Sequence, residues 1–275
     1  MKKILAPTDF SQSSLNAVNY AADLARALGA ELILFHVCPM PMAFSEVPAP
    51  ATAIDRLMAD AQQQLKELKQ IISLRERDEL VISTEVSQGD LVLELEDACK
   101  RHHPYAVVMG EETMKPIERW LAGGKTVAAV RKLDWPLLVV PANISFKNIR
   151  RIGLACDLRR VVETIPAPEI KELVKQFKAE LHILHVSVEP GEAVSEESME
   201  ETEWLKDILA DLNPKFHFIY NEEVEEGIQA WADTHQLDLL IIVPKQHHFP
   251  ASLFHRRHSP KLVMHAHIPI MSFHE

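Results

Sequence analysis

At 275 residues the chain exceeds the usual size of one domain, so two domains of about 140 residues are expected. Apolar residues make up 47% and charged residues 25%, far from the composition of a disordered chain. The formal net charge of −11 repels phosphate backbones and anionic headgroups, which argues against nucleic acid and membrane as partners.

Ile4 to Pro7 is a short apolar strand that ends at Thr8 and Asp9. A helix follows, capped by Ser11 or Ser13, with Leu15, Val18, Ala22, Ala25 and Leu28 on its apolar face and Gly29 as its stop. Glu31 to Val37 (ELILFHV) is nearly all apolar, as expected of a strand covered on both faces of a parallel sheet. A proline-rich loop then leads to a long amphipathic helix marked by Ile54, Leu57, Ala61, Leu65, Leu68 and Ile72. Val81 to Val86 reads as strand, Asp90 to His102 as helix and Tyr105 to Met109 as buried strand. After a loop from Gly110 to Gly124 comes a short helix over 126–133, broken by Trp135-Pro136, and then a fifth strand, Leu137 to Val140.

The second half repeats this order. Ile152 to Asp157 answers Ile4 to Asp9, Glu180 to Val186 (ELHILHV) answers Glu31 to Val37, Asp238 to Val243 answers the fourth strand, and Ile268 to Met271 answers Trp135 to Leu138. Four blocks in the same order point to duplication. The predicted fold is therefore α/β, with two Rossmann-like, doubly wound, five-stranded parallel-sheet domains in tandem, over 1–143 and 148–275.

The segments ILAPTDFSQSSLNAVNYAADLA, ELILFHV, YAVVMGEETMKPIERWLAGGKTVAAV and WPLLVVP resemble the universal stress protein family, end to end in the first half and more weakly in the second. The resemblance implies that the halves pack as a pseudo-dimer, that two chains can form a homodimer, and that ATP with Mg²⁺ is bound by many members. The family's nucleotide motif is a glycine ending the fourth strand, a second glycine three residues on, and a Gly-Ser or Gly-Thr opening the last helix. Gly110 fills the first position, Thr113 replaces the second glycine, and Gly123-Gly124 replaces the Gly-Ser, with Lys125 and Thr126 supplying a charge and a hydroxyl. By the same resemblance Pro7, Thr8, Asp9 and Val37 surround the adenine and ribose. In the second half Pro244 is expected where Gly110 stands and the last helix is expected to start at Ser259-Pro260, so this half is expected to be degenerate and not to bind ATP in the family's manner.

Other constellations are thinner. The string Gly123-Gly124-Lys125-Thr126 fails as a P-loop, because Arg119 stands where that motif needs its first glycine. Fourteen histidines show no zinc spacing, so no metal site is expected. His36 and His185 hold equivalent strand positions and read as partners of buried hydrogen bonds. Arg256 and Arg257 precede the last helix and read either as an anion site or as an exposed basic loop. The glutamate runs around Glu201 and Glu223 read as solvated helix faces.

No GxSxG, HExxH or Cys-His signature marks a catalytic site, so the chain is read as a non-enzyme. Three scattered cysteines suit a reducing compartment. No run reaches the roughly 18 apolar residues of a membrane span, and Pro7 and Asp9 interrupt a leader-like start. A cytoplasmic protein is expected. Three functions stay open: a nucleotide-responsive stress or regulatory protein, an ATP-independent module for an unknown protein partner, and a slow ATPase in which Asp9 holds Mg²⁺ or orients water.

Overall fold

The structure, a computed structural model, describes residues 1–39, 51–111, 125–188, 196–244 and 267–274. It divides into two compact units, Met1–Phe146 and Lys147–Glu275.

The first unit runs β1 (Lys3–Pro7), α1 (Gln12–Leu28), β2 (Glu31–Cys38), α2 (Ala51–Arg75), β3 (Ile82–Gln88), α3 (Leu91–His102), β4 (Ala106–Gly110), α4 (Lys125–Lys132) and β5 (Leu137–Val140). Its parallel strands lie in the order β3-β2-β1-β4-β5. From β1 the chain moves outward to β2 and β3, then crosses back to β4 and β5. The point of reversal, between β1 and β4, leaves a crevice at the carboxyl ends of these strands.

Local chemistry sets these elements. Ser11 caps α1 by accepting the Ser14 N–H, and Gly29 ends it in the left-handed region at φ 60°. Asp90 caps α3 by accepting from the N–H groups of Val92 and Leu93. The sheet centre is apolar on both faces: Ile4, Leu5, Leu32, Leu34 and Phe35 are fully buried. Each contributes about 2 kcal/mol relative to exposure. Asn16 ties the helix layer to the segment after β5, donating to the carbonyls of Pro141 and Ile144 at 3.0 Å each.

The second unit runs β6 (Arg151–Ala155), α5 (Val161–Thr164), α6 (Ala167–Phe177), β7 (Glu180–Ser187), α7 (Glu196–Ile208), β8 (Lys215–Tyr220), α8 (Val224–Thr234), β9 (Leu239–Ile242) and β10 (Ile270–Ser272). Its parallel order, β10-β9-β6-β7-β8, is that of the first unit read from the other side. The duplication reaches down to register, since Lys3 pairs with Glu31 as Arg151 pairs with Glu180.

The same turn leaves the first strand of each unit. Phe10 and Leu158 both adopt positive φ, and Asp9 and Asp157 both accept the N–H two residues on. His36 Nδ1 lies 2.7 Å from the Thr8 carbonyl and His185 Nδ1 lies 3.0 Å from that of Cys156, equivalent bonds that are half-buried where buried ones were expected.

Three expectations change. Register aligns Val107 with Leu240, which makes Val243 the counterpart of Gly110 and shifts Pro244 to the place of Glu111. The counterpart of α1 is split into α5 and α6, because Pro166 stands between them. Glu201 is not on a solvated face: it is buried, with Oε1 accepting the Arg160 N–H and Oε2 the Val161 N–H, both at 2.8 Å.

Candidate functional site

The crevice between β1 and β4 is a cleft of about 560 Å³, within the range of small-molecule sites. Pro7, Thr8 and Asp9 enter it from the end of β1, Val37 from β2, and Met109 and Gly110 from β4. Thr126 and Ala128 enter from the start of α4. Six residues expected to surround a nucleotide, Pro7, Thr8, Asp9, Val37, Gly110 and Thr126, therefore line one cavity.

Lys125 opens α4 and so stands at the same helix start. Gly123, Gly124 and Thr113 lie outside the described residues, as do Arg256, Arg257 and the Ser259-Pro260 helix start of the second unit.

The rim beside β1 is a hydroxyl network. Thr8 and Ser14 share a hydrogen bond of 3.0 Å between their side-chain oxygens, and the Ser14 hydroxyl donates to the Ser11 carbonyl at 3.0 Å. The Phe10 N–H in turn donates to Thr8 Oγ1, which helps hold the turn in its left-handed conformation. Asp9 is exposed at this rim. Burial pushes its carboxyl up, but hydrogen bonds from the Ser11 and Ser14 hydroxyls and the Ser11 N–H outweigh this and hold it below the ordinary aspartate range. Asp9 is thus a fixed negative charge at neutral pH.

The opposite rim comes from the start of α3, which the sequence did not single out. Gly89, Asp90, Leu91 and Val92 line the cleft because β3 runs parallel to β2 and ends level with it, Gln88 pairing with Cys38 at the carboxyl edge of the sheet. Ser11, Ser13 and Ser14 were likewise missed as lining residues. The available signal was Gly89-Asp90 just before an apolar-periodic segment, a helix start that must lie at the carboxyl edge of the sheet.

Gly110 is a packing glycine. A Cβ there would meet the Ser13 carbonyl oxygen at 2.5 Å, so β4 and the start of α1 approach too closely for any side chain. Thr126 is buried and its hydroxyl donates to the Gly110 carbonyl at 3.0 Å, clamping α4 to the end of β4. In this arrangement the Thr126 donor is taken up by the Gly110 carbonyl. What α4 offers is its backbone N–H groups and the positive end of its dipole.

The cleft thus joins an apolar floor of Val37, Val92 and Met109 to a polar rim with two carboxylates, Asp9 and Asp90. Among the described residues no group of three His, Cys, Asp or Glu side chains is placed to hold a metal ion, and no helix is long and apolar enough to cross a membrane.

Comparison with known proteins agrees with this architecture. The profile described as "Universal stress protein family" matches residues 1–141. The universal stress protein MJ0531 of Methanocaldococcus jannaschii is 28% identical over 141 residues, covering 50% of this chain and 81% of that one. Among solved structures, a universal stress protein from Archaeoglobus fulgidus superposes with a TM-score of 0.74 at 19% identity, over 99% of this chain and 98% of that one. PA1789, a functionally unknown protein from Pseudomonas aeruginosa, gives 0.60 at 13% identity over 100% of this chain and 92% of that one. At these identities the two structures share the fold.

Proposed function

Because the chain belongs to the universal stress protein family, we propose that its first unit binds an adenine nucleotide in the cleft between β1 and β4, and that occupancy acts as a regulatory signal rather than a step in catalysis. One observation carries this reading: Pro7, Thr8, Asp9, Val37, Gly110 and Thr126, singled out from the sequence as a nucleotide site, line one cavity at the topological switch point. The residues present suit the ligand. The apolar floor of Val37, Val92 and Met109 takes a base, the hydroxyl rim takes a ribose, and the start of α4 takes phosphate. Mg²⁺ would offset the phosphate charge beside the carboxylates of Asp9 and Asp90.

Calorimetric titration with ATP, with and without Mg²⁺, tests the proposal. The expected result is saturable binding that needs Mg²⁺ and is lost in Val37→Trp, which fills the floor. No heat at millimolar nucleotide, or unchanged binding in Val37→Trp, overturns it.

A second reading, an ATP-independent interaction module, is favoured by the Thr126 clamp, since the Thr126 hydroxyl and the Gly110 carbonyl satisfy each other without a phosphate. An adenine nucleotide released from the purified, unfolded protein would contradict that version. Slow hydrolysis is a third outcome of the same titration, and it requires phosphate release that falls in Asp9→Ala.

A further inference from the structure

The outer strands of the two sheets are built differently. β3, the edge of the first unit's sheet, carries Glu85 at mid-strand, held by Arg101 and His102 from α3. A clamped charge in an otherwise polar strand is how natural proteins blunt a sheet edge.

β8, the edge of the second unit's sheet, reads KFHFIY and pairs only with β7 among the described residues. None of its residues is buried, although Phe216, Phe218, Ile219 and Tyr220 are apolar or aromatic. Phe218 and Tyr220 are 50% and 54% exposed and, two apart, point to the same face. The strand has no proline, and its only Lys or Glu is Lys215 at its start. Such an edge is a template for another strand.

The charges at its ends select the occupant. Lys215 opens β8, while the exposed Glu222 and Glu223 follow its far end. A parallel neighbour of the same sequence would set like charges side by side. An antiparallel second copy with its two-fold axis at Phe218 sets Lys215 opposite Asn221, next to Glu222 and diagonal to Glu223, twice over. Lys215 also meets Glu180 at 2.7 Å, but both groups are more than half exposed, and a surface pair of this kind exchanges partners at little cost.

We propose that the β8 edge pairs antiparallel with the β8 edge of a second copy of this chain, forming a two-fold homodimer with Phe218 and Tyr220 at its centre.

Sedimentation of the full chain over a range of concentrations tests the arrangement. The expected species at high concentration has twice the 31.1 kDa chain mass. Phe218→Lys should weaken the dimer at least ~tenfold, whereas Ser83→Lys on the β3 edge leaves it unchanged. Phe218→Cys, beside the axis, should form a disulfide-linked dimer under mild oxidation, against a low background because Cys38, Cys99 and Cys156 are buried. Circular dichroism confirms that each variant is folded. A wild-type chain that stays monomeric, a dimer indifferent to Phe218→Lys, or a Phe218→Cys chain that fails to cross-link each overturns the proposal. The ATP titration reads a different unit, so failure of one leaves the other standing.

Discussion

The Glu201 carboxylate accepts the Val161 N–H at 2.8 Å, so a side chain from α7 caps the short helix α5. The first unit caps its equivalent helix locally, with Ser11. The second unit has arginine at 159 and 160 and takes its cap from forty residues away. Because Glu201 is buried, Glu201→Ala should lose about 3 kcal/mol of the second unit's stability. Glu201→Gln should lose nearly as much, since its amide turns a donor toward a donor. Urea unfolding checks the magnitude, and hydrogen exchange at Arg160 and Val161 checks the location.

The Thr126 hydroxyl is occupied by the Gly110 carbonyl. Thr126→Val should lower the stability of the first unit by about 1 kcal/mol, read by thermal unfolding. If the hydroxyl stays on Gly110, ATP affinity should change by no more than about threefold. A larger loss would show that the hydroxyl turns to the nucleotide.

Gly110→Ala tests the close approach of β4 to α1. The added Cβ would sit 2.5 Å from the Ser13 carbonyl oxygen, which is backbone and cannot swing aside. A loss of about 2 kcal/mol is expected, with disorder at the start of α1 visible as faster exchange at Ser14 and Leu15.

Acid should weaken the second unit before the first. His182 Nδ1 and His217 Nε2 are 3.0 Å apart on β7 and β8. Burial lowers the His182 pKa, reinforced by His217, Lys215 and Arg151 and opposed by Glu180. Burial likewise lowers that of His217, with His235 and Lys215 adding to it.

Both groups are therefore more easily protonated in the unfolded chain. Their full contribution is present above the ordinary value of 6.5 and is lost as pH falls from there through the lowered folded values. Urea midpoints between pH 8 and pH 5 should fall. His217→Gln should flatten that dependence, and an unchanged slope would contradict the assignment. Trp231 packs on both His217 and His235, so its fluorescence offers a local report.

The order of strands and helices was legible in the sequence because buried parallel strands are continuous apolar runs, and ELILFHV and ELHILHV share four of seven letters, at both ends of the run. The β1 half of the cleft was legible for the same reason, since Thr8 and Asp9 mark where a buried strand ends. What failed was one-residue accuracy at the end of β9. Pro244 suggested the break that Gly110 marks, whereas pairing with β10 places Val243 there. The α3 side of the cleft and the role of Glu201 depend on residues brought together from distant segments, which local pattern does not record. Glu201 sits in a run of glutamates that is otherwise ordinary helix surface, and only its carboxylate finds a helix start to cap.

Cys38, Cys99 and Cys156 are all buried, one in β2, one in α3 and one just past β6. Burial, with Glu96 nearby, pushes the Cys99 thiol up to about 12, and burial raises that of Cys38 as well, so neither is a ready nucleophile while folded. Each thiol becomes reactive only when its own layer opens. The chain therefore carries native clocks: alkylation rates, resolved by peptide mass, would time the breathing of each half without any introduced label.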